Sequence, residues 1–249
     1  MSLLRSKAVI LRSHRWGDAD RIVTFFSLKF GKIRGVARGA RRLKSRYSGV
    51  LEPFAVVELT LFQKTPDSLG SISQIDLLSR VPSIREDLGV MTAAARMVRI
   101  VEAITVDRDP NSEMFWTLVQ SLEMLEPDSD LPLTALLFQI HVLGHTGFKP
   151  QIEQCTECGK SIGEDSLSFS PRLGGIVCAR CARQGMGRII PISRGSAAFM
   201  EQARRFPVTY LPRMKAVGII RAEVTQAIES YFETVVGKSL PEFDRWATF

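Results

Sequence analysis

The sequence has few cysteines and no long uninterrupted apolar run. Its 249 residues include only four Cys, too few for a small disulfide scaffold. The longest uncharged stretch, residues 131–148, contains Pro132, Gly144 and Gly147 and predicts a buried helix ending near one of these glycines, rather than a membrane span. The apolar run at residues 8–11 is too short for a signal peptide. We therefore expect a cytoplasmic protein that makes no membrane contact.

The charge of the chain is concentrated near its beginning. The formal net charge is +7, and residues 1–80 carry 15 basic and 6 acidic side chains, so the remaining residues are slightly acidic. A hydrophobic content of 45% is sufficient for a sizeable core and excludes intrinsic disorder. We find no internal repeat or low-complexity tract.

The first 80 residues have the pattern of a small all-β domain. Five short runs rich in β-branched and aromatic residues are separated by turn signals such as Gly17-Asp18. The predicted strands are Lys7–Ser13, Arg21–Leu28, Gly31–Arg38, Phe54–Gln63 and Leu69–Ser79. Five strands in this length predict a barrel of the OB type.

After residue 81 the apolar spacing becomes helical. Candidate helices cover residues 88–104, 112–125, with Asn111 or Ser112 as the N-cap, 132–145, 193–205 and 212–236. A glycine-rich segment with all four cysteines interrupts them. We therefore predict an α+β multidomain fold: an OB domain at 1–80, a helical domain in two parts at 81–150 and 188–249, and an inserted four-cysteine zinc module at 151–187.

The cysteines form two C-x2-C pairs. Nineteen residues separate the pairs, which consist of Cys155, Cys158, Cys178 and Cys181. Two such turns can surround one cation with four thiolates, the arrangement that structural Zn²⁺ prefers, so we predict one structural Zn²⁺ per chain. We expect N–H groups of the turns at Gly159 and Gly174-Gly175 to face the sulfurs. Two disulfides or four unrelated buried thiols are the alternatives.

A second signal is a stretch of eighteen residues with eight cations and no acidic side chain. The cations are Lys29, Lys32, Arg34, Arg38, Arg41, Arg42, Lys44 and Arg46. Such a stretch favours a polyanion, and nucleic acid is the obvious candidate. The glycines at 31, 35, 39 and 49 would let the backbone approach phosphates closely. The alternatives are a solvated basic loop and a membrane-surface patch.

Aromatic residues near the basic stretch are candidates for stacking on unpaired bases. Trp16 and Tyr47 fall in expected loops and are the preferred candidates. Phe25 and Phe26 are adjacent on a strand and must point to opposite faces, so one of them could also be available.

Catalytic patterns are incomplete, and we predict that the chain is not an enzyme. His141 and His145 have the spacing of a zinc peptidase, but Val142 replaces the required Glu, so we expect a core helix. Asp18 and Asp20 could bind Mg²⁺ in a nuclease, although we expect them, with Glu52, to balance Arg15 and Arg21.

Blocks along nearly the whole chain resemble the bacterial RecO family. The first blocks are Asp18-Ala19-Asp20-Arg21-Ile22-Val23, Gly31-Lys32, Val36-Ala37-Arg38-Gly39-Ala40-Arg41-Arg42, Ser45-Arg46 and Leu51-Glu52-Pro53-Phe54. The later blocks are Gly147-Phe148-Lys149-Pro150, Phe169-Ser170, Gly174-Gly175, the two cysteine pairs and Gly237-Lys238-Ser239-Leu240. The helical segments between these blocks resemble the family only in their general helical pattern.

The resemblance implies a recombination mediator in DNA repair, without enzymatic turnover. It implies an OB-fold domain that binds single- and double-stranded DNA, with Arg38, Arg41, Arg42, Lys44 and Arg46 as contacts supported by Lys29, Lys32 and Arg34. It also implies annealing of complementary strands coated by single-stranded DNA-binding protein (SSB), binding of the acidic SSB tail, and cooperation with RecR in loading RecA. Such a protein would work in the cytoplasm, at the nucleoid. The alternative is a zinc-ribbon and OB-fold protein that binds RNA or is associated with transcription.

Overall fold

The computed structural model describes residues 2–47, 49–65, 68–81, 83–162, 166–183 and 187–237. The chain forms two compact units, residues 1–127 and 128–249. The first two predicted helices thus belong to the same unit as the strands, whereas the finer division at 80, 150 and 187 stays a prediction. No helix within the described ranges has the length and apolar character needed to cross a membrane.

The first unit is built on a five-stranded barrel. The strands are β1 (Ser2–Trp16), β2 (Asp20–Ser27), β3 (Gly31–Ala37), β4 (Val56–Gln63) and β5 (Gly70–Ser79). They pair in the order β1-β2-β3-β5-β4, and β4 returns to β1. Every pairing is antiparallel except the short β3–β5 contact, which joins Gly35 to Gly70 and Val36 to Ser71. This order confirms the predicted OB-type barrel.

Alternation along the strands separates the core from the charged surface. In β3 the buried positions are Gly31, Ile33, Gly35 and Ala37, while Lys32 and Arg34 lie between them on the outer face. Because the side-chain period of a strand is two, a basic residue can follow each apolar one without entering the core. The sequence of β3 therefore builds the barrel and presents cations at the same time.

Two helices complete the first unit. Helix α1 (Leu88–Ile104) begins at Asp87, whose side chain accepts from the Val90 N–H, and α2 (Ser112–Glu123) is capped by Asn111. Phe25 points into the barrel core, whereas Phe26 points outward and packs on Phe115 of α2 with ring centroids 6.3 Å apart. Both phenylalanines are fully buried, so the idea that one could stack on bases was wrong.

The second unit combines three helices with a small sheet. Helix α3 (Leu131–His145) is followed by β6 (Leu167–Ser170), β7 (Gly175–Cys178) and β8 (Ile190–Ile192), then by α4 (Arg194–Arg205) and α5 (Gly218–Val236). The sheet has the order β7-β6-β8. Twelve of the fifteen residues of α3 are buried, which confirms the predicted buried helix.

The last helix starts later than the sequence predicts. Residues Val208–Arg213 form a short 3-10 helix, and α5 begins only at Gly218. Extended backbone at Met214 and Val217 separates the two. Apolar residues nevertheless continue through this break, where Leu211 and Ala216 are buried and Val217 is exposed, so the apolar content of the sequence conceals the break. The similar block at 237–240 lies outside the described residues after Gly237.

Candidate nucleic-acid interface and metal centre

A groove of about 730 Å³ opens on the outer face of the barrel. Its walls come from the ends of β1 to β3, from the β4–β5 connection, and from the segment that follows α1. Trp16, Arg34, Leu69 and Arg108 are among the lining residues. The same face of OB folds, with its adjoining loops, binds oligonucleotides and oligosaccharides. The groove therefore lies where a barrel of this topology presents its ligand site.

The basic loop, residues 38–46, is held against the β1–β2 turn. The Arg41 N–H donates to the Ala19 carbonyl at 2.9 Å, and the Arg41 guanidinium donates to the carbonyls of Gly17 and Asp18. The Asp20 carboxylate accepts from the Gly39 N–H at 2.8 Å. These bonds fix the start of the loop beside Trp16, at the end of the groove.

The acidic residues near the loop have structural partners. Asp20 bonds the backbone of the basic loop, Glu52 forms an ion pair with Arg85, and Arg21 donates to the Ser13 hydroxyl. Asp20 and Glu52 therefore pair with other groups than Arg15 and Arg21, and that part of the interpretation was wrong.

The eight predicted cations fall into three groups. Four are exposed, and within the described part of the chain their side chains have no hydrogen bond or ion pair: Lys29, Arg38, Arg42 and Lys44. Three are exposed but bonded: Arg34 with Asp107, Arg41 with the β1–β2 turn, and Arg46 with the Ile72 carbonyl. The four cations of the first group can bind phosphates without breaking a hydrogen bond or ion pair to another described residue.

Lys32 differs from the other seven. Its side chain is only 16% exposed, and the ammonium donates to the carbonyls of Glu102 and Thr105 at 3.1 and 2.6 Å. It also lies 3.7 Å from the Asp107 carboxylate. Because these partners already use its donors, Lys32 ties the end of α1 to β3 and is a poor candidate for a phosphate contact.

The two aromatic candidates have different environments. Trp16 ends β1 and is 55% exposed beside the groove. Tyr47 is only 3% exposed, and its hydroxyl donates to the Ile72 carbonyl at 3.0 Å. The expectation that Tyr47 lies free in a loop was wrong, because its ring fills the barrel core and supports Arg46, whose guanidinium lies 4.8 Å from the ring centroid.

Two of the four glycines in the basic region are needed for packing. A Cβ at Gly31 would lie 2.3 Å from the Asp109 carbonyl oxygen, and a Cβ at Gly35 would meet Leu61 inside the barrel. Gly39 and Gly49 have positive φ in the loops. Gly31 and Gly35 thus allow close internal contacts, not an approach to phosphates.

Several residues that line the groove were missed by the sequence analysis. Gln63, Leu69, Asp107 and Arg108 line the groove, and Arg108 donates to the Gln63 side chain at 2.8 Å. The segment after α1 reaches β3 through an Arg108 N–H bond to the Lys32 carbonyl. The two partners are more than seventy residues apart in the chain, and no local pattern could predict their contact.

The four cysteines come together in the second unit as predicted. Their sulfurs all lie within 4.8 Å of one another, and Cys158 Sγ is 4.0 Å from Cys178 Sγ. All four are free thiols, which removes the two-disulfide alternative. Their convergence also removes the alternative of unrelated thiols. The cluster could hold one metal ion between the turns at 155–158 and 178–181.

Backbone groups already favour a thiolate at Cys155. Burial would raise the pKa of this thiol, but the backbone N–H groups of Cys158, Cys178 and Glu157 outweigh burial and lower the pKa to about 6. Hydrogen bonding to Cys178 raises the pKa of Cys181 to about 12. The glycines that we expected to supply these N–H groups have another role, since the Gly159 N–H donates to the Cys155 carbonyl.

His141 is a core residue, as its helix predicts. The side chain is 9% exposed, and burial, together with the neighbouring His145, lowers the pKa of His141 to about 4 despite a hydrogen bond with the backbone of Ala203. The ring is therefore neutral at physiological pH.

Comparison with known families agrees with this architecture. The model described as Recombination protein O N terminal matches residues 1–81, and the model described as Recombination protein O C terminal matches residues 85–242. The chain belongs to the RecO family. This membership supports a role in DNA repair and recombination.

Curated RecO proteins are similar to the chain over nearly its full length. The DNA repair protein RecO of Desulforamulus reducens is 31% identical over 241 residues, covering 96% of this chain and 92% of that protein. The protein of the same name from Bacillus subtilis is 31% identical and covers 94% and 90%. That of Desulfitobacterium hafniense is 29% identical and covers 96% and 88%.

Proposed function

We propose that this chain binds single- and double-stranded DNA through the groove and the basic loop, and that it anneals complementary strands without catalytic turnover. The observation that carries the proposal is a set of exposed cations whose side chains have no hydrogen bond or ion pair to other described residues. Three of them, Arg38, Arg42 and Lys44, belong to the basic loop, which is held against the turn next to Trp16. The neighbouring Trp16 offers an exposed ring on which an unpaired base can stack.

Annealing in this proposal is an electrostatic effect. Two DNA backbones repel each other, and a surface that neutralises phosphates of both lowers the barrier to their pairing. Four to six contacts from the basic region would give a log–log salt slope of roughly −3 to −4 on single strands, at about 0.7 per contact. No covalent step or nucleotide hydrolysis is needed.

The partners of the chain are proposed from its family resemblance. We propose that it anneals SSB-coated strands, contacts the acidic SSB tail, and with RecR helps to load RecA. The net charge of +7 is consistent with attraction to both DNA and an acidic tail. The proposed site of action is the cytoplasm, at the nucleoid.

We further propose that the cysteine cluster holds one structural Zn²⁺. A zinc ion bonded to four thiolates at about 2.3 Å places the sulfurs about 3.8 Å apart, close to the 4.0 Å between Cys158 and Cys178. Four cysteine ligands leave no open position for substrate or water, so the metal would stabilise the lobe and take no part in chemistry.

The first test combines annealing with charge reversal. Arg38, Arg42 and Lys44 are replaced together by Glu, because they are exposed and the change breaks no side-chain hydrogen bond or ion pair among the described residues. DNA affinity, measured by fluorescence anisotropy, should fall by at least about a hundredfold, and annealing of complementary oligonucleotides should be lost.

The matched control has the same change in charge at another place. Arg172, Arg188 and Lys215 are exposed residues of the second unit without hydrogen bonds or ion pairs to described residues, and their replacement by Glu should weaken binding much less. Equal losses in the two variants would place the DNA site elsewhere. Tight binding of RNA without DNA annealing would instead support the RNA-binding alternative.

A further inference from the structure

Asp107 is the acidic residue in the wall of the groove. Its carboxylate lies 3.2 Å from the Arg34 guanidinium and 3.7 Å from the Lys32 ammonium. The side chains of Arg34 and Asp107 are 60% and 53% exposed, so this ion pair lies open at the surface where a ligand in the groove would pass.

The position of Asp107 is fixed by the backbone around it. Asp107 forms a parallel β-bridge with Lys32, and the next N–H, of Arg108, donates to the Lys32 carbonyl at 3.0 Å. Gly31 leaves space for the backbone of Asp109, which a Cβ would meet at 2.3 Å. The carboxylate is therefore held beside β3 by main-chain contacts and does not depend on a flexible loop.

The two cations that face Asp107 are bound to different extents. Lys32 has two backbone acceptors besides the carboxylate, so it would stay in place if the carboxylate were lost. Asp107 is the only partner of the Arg34 side chain in the described part of the chain. Arg34 can consequently exchange this carboxylate for another anion.

We infer that Asp107 is an electrostatic gate on the groove: its carboxylate occupies Arg34 in the free protein, and a nucleic-acid phosphate must displace it to gain that contact. This inference rests on the proposed binding of nucleic acid in the groove. The gate weakens binding, because Arg34 must first give up an ion pair and the carboxylate then repels the incoming phosphate. Its effect is strongest at low salt, where exposed charges are least screened.

The test is the change Asp107→Asn, which keeps the size of the side chain and an oxygen that can accept from Arg34. Binding of a fluorescein-labelled oligo(dT) is measured by anisotropy at 50 and 300 mM NaCl, with the full-length protein. The variant should bind about two- to fivefold more tightly at the lower salt, and the gain should shrink at the higher salt.

Two further variants separate the gate from a general effect of charge. Glu58→Gln removes another ion-paired carboxylate of the same unit, which pairs with Arg5 at 3.3 Å and does not line the groove. It should leave affinity nearly unchanged. In an Arg34→Ala background, Asp107→Asn should give a clearly smaller gain, because the cation that it releases is absent.

Three results would overturn the gate while leaving the proposed function intact: unchanged affinity of Asp107→Asn, an equal gain in Glu58→Gln, or an undiminished gain in the Arg34→Ala background. Failure of the wild-type protein to bind DNA would instead overturn the proposed function and the gate together. Thermal melting of each variant shows that the fold is retained.

Discussion

The two compact units use their characteristic residues in opposite ways. In the first unit, Arg38, Arg42 and Lys44 contribute nothing to the barrel core and are presented by a frame of strands that is complete without them. In the second unit, the cysteines are part of the contact between residues 151–162 and the β6–β7 hairpin: Cys178 donates its N–H to Cys155 Sγ at 3.4 Å, beside backbone bonds that join Gln151 and Thr156 to the hairpin. Changes at the charged residues should therefore affect binding, whereas changes at the cysteines should affect the fold.

The largest expected effect is the loss of the cysteine cluster. Replacing Cys155 and Cys178 by Ser removes two of four ligands, and structural zinc sites contribute binding free energy on the order of 10 kcal/mol in small modules. Hydrogen-exchange mass spectrometry should show residues 151–192 exchanging rapidly, while the barrel strands stay protected. Metal analysis should show loss of zinc.

Removing the metal from the wild-type protein with a chelator should also make residues 151–192 exchange rapidly, without a mutation. If zinc content and the exchange of residues 151–192 were the same in the wild type and the double variant, the cluster would not hold a structural metal. If the barrel strands also lost their protection from hydrogen exchange, the stability of the first unit would depend on the cysteine cluster of the second, which would contradict this comparison of the two units.

Next in size is a change at Gly31, which tests how the barrel is tied to the segment after α1. Gly31→Ala forces a Cβ to 2.3 Å from the Asp109 carbonyl oxygen at a φ of +63°, and we expect a loss of about 3 to 5 kcal/mol in unfolding free energy. Gly17→Ala is the control, because Gly17 also has positive φ but open space around it. It should cost only about 1 to 2 kcal/mol. Thermal denaturation should show a larger loss of stability for Gly31→Ala than for Gly17→Ala. Equal losses would contradict the close contact between Gly31 and the Asp109 backbone.

The third expected effect is that the stability of the second unit depends on pH. Because the pKa of His141 is about 4 in the folded protein and near 6.5 when exposed, the unfolded chain binds the extra proton between these values. Stability should thus be full above pH 6.5 and fall as the pH decreases toward 4, by up to about 3 kcal/mol. Denaturant titrations across this range should show a smaller fall for His141→Gln than for the wild type. A parallel decline in both would assign the pH dependence to other groups.

The smallest effects distinguish the structural role of Lys32 from the DNA-binding role proposed for Arg38, both in the first unit. Lys32→Met leaves the carbonyls of Glu102 and Thr105 without their donor, and should cost about 1 to 2 kcal/mol of stability. Arg38→Met breaks no side-chain hydrogen bond or ion pair within the described part of the chain, so melting should be unchanged while the salt slope of DNA binding falls by about 0.7. Reversed results, with Arg38 needed for stability and Lys32 for the slope, would contradict the assignment of roles.

Local patterns were sufficient to predict the barrel strands, most of the helices and the convergence of the cysteines, but not which side chains are available for binding. The alternation in β3, the helical spacing of residues 88–104 and the two C-x2-C pairs each depend on neighbours in the chain, and each was confirmed. Tyr47 is buried and Lys32 is a poor candidate for a phosphate contact because their partners, Ile72 and the end of α1, come from distant segments. The break before α5 was missed because apolar residues continue through it, and the sequence does not show that Ala216 is buried while Val217 is exposed.

The barrel strands, most of the helices, the converging cysteines and the cationic character of residues 29–46 could be predicted from the sequence, because these follow from the period of a strand or helix, from thiol chemistry and from composition. Tertiary contacts were needed to show which of those cations are bonded to other described residues, and that Asp107 lies 3.2 Å from Arg34 in the wall of the groove. Whether a charge is available depends on what lies within a few ångströms of it, and the end of α1 with the segment after it brings partners to β3 from more than seventy positions away.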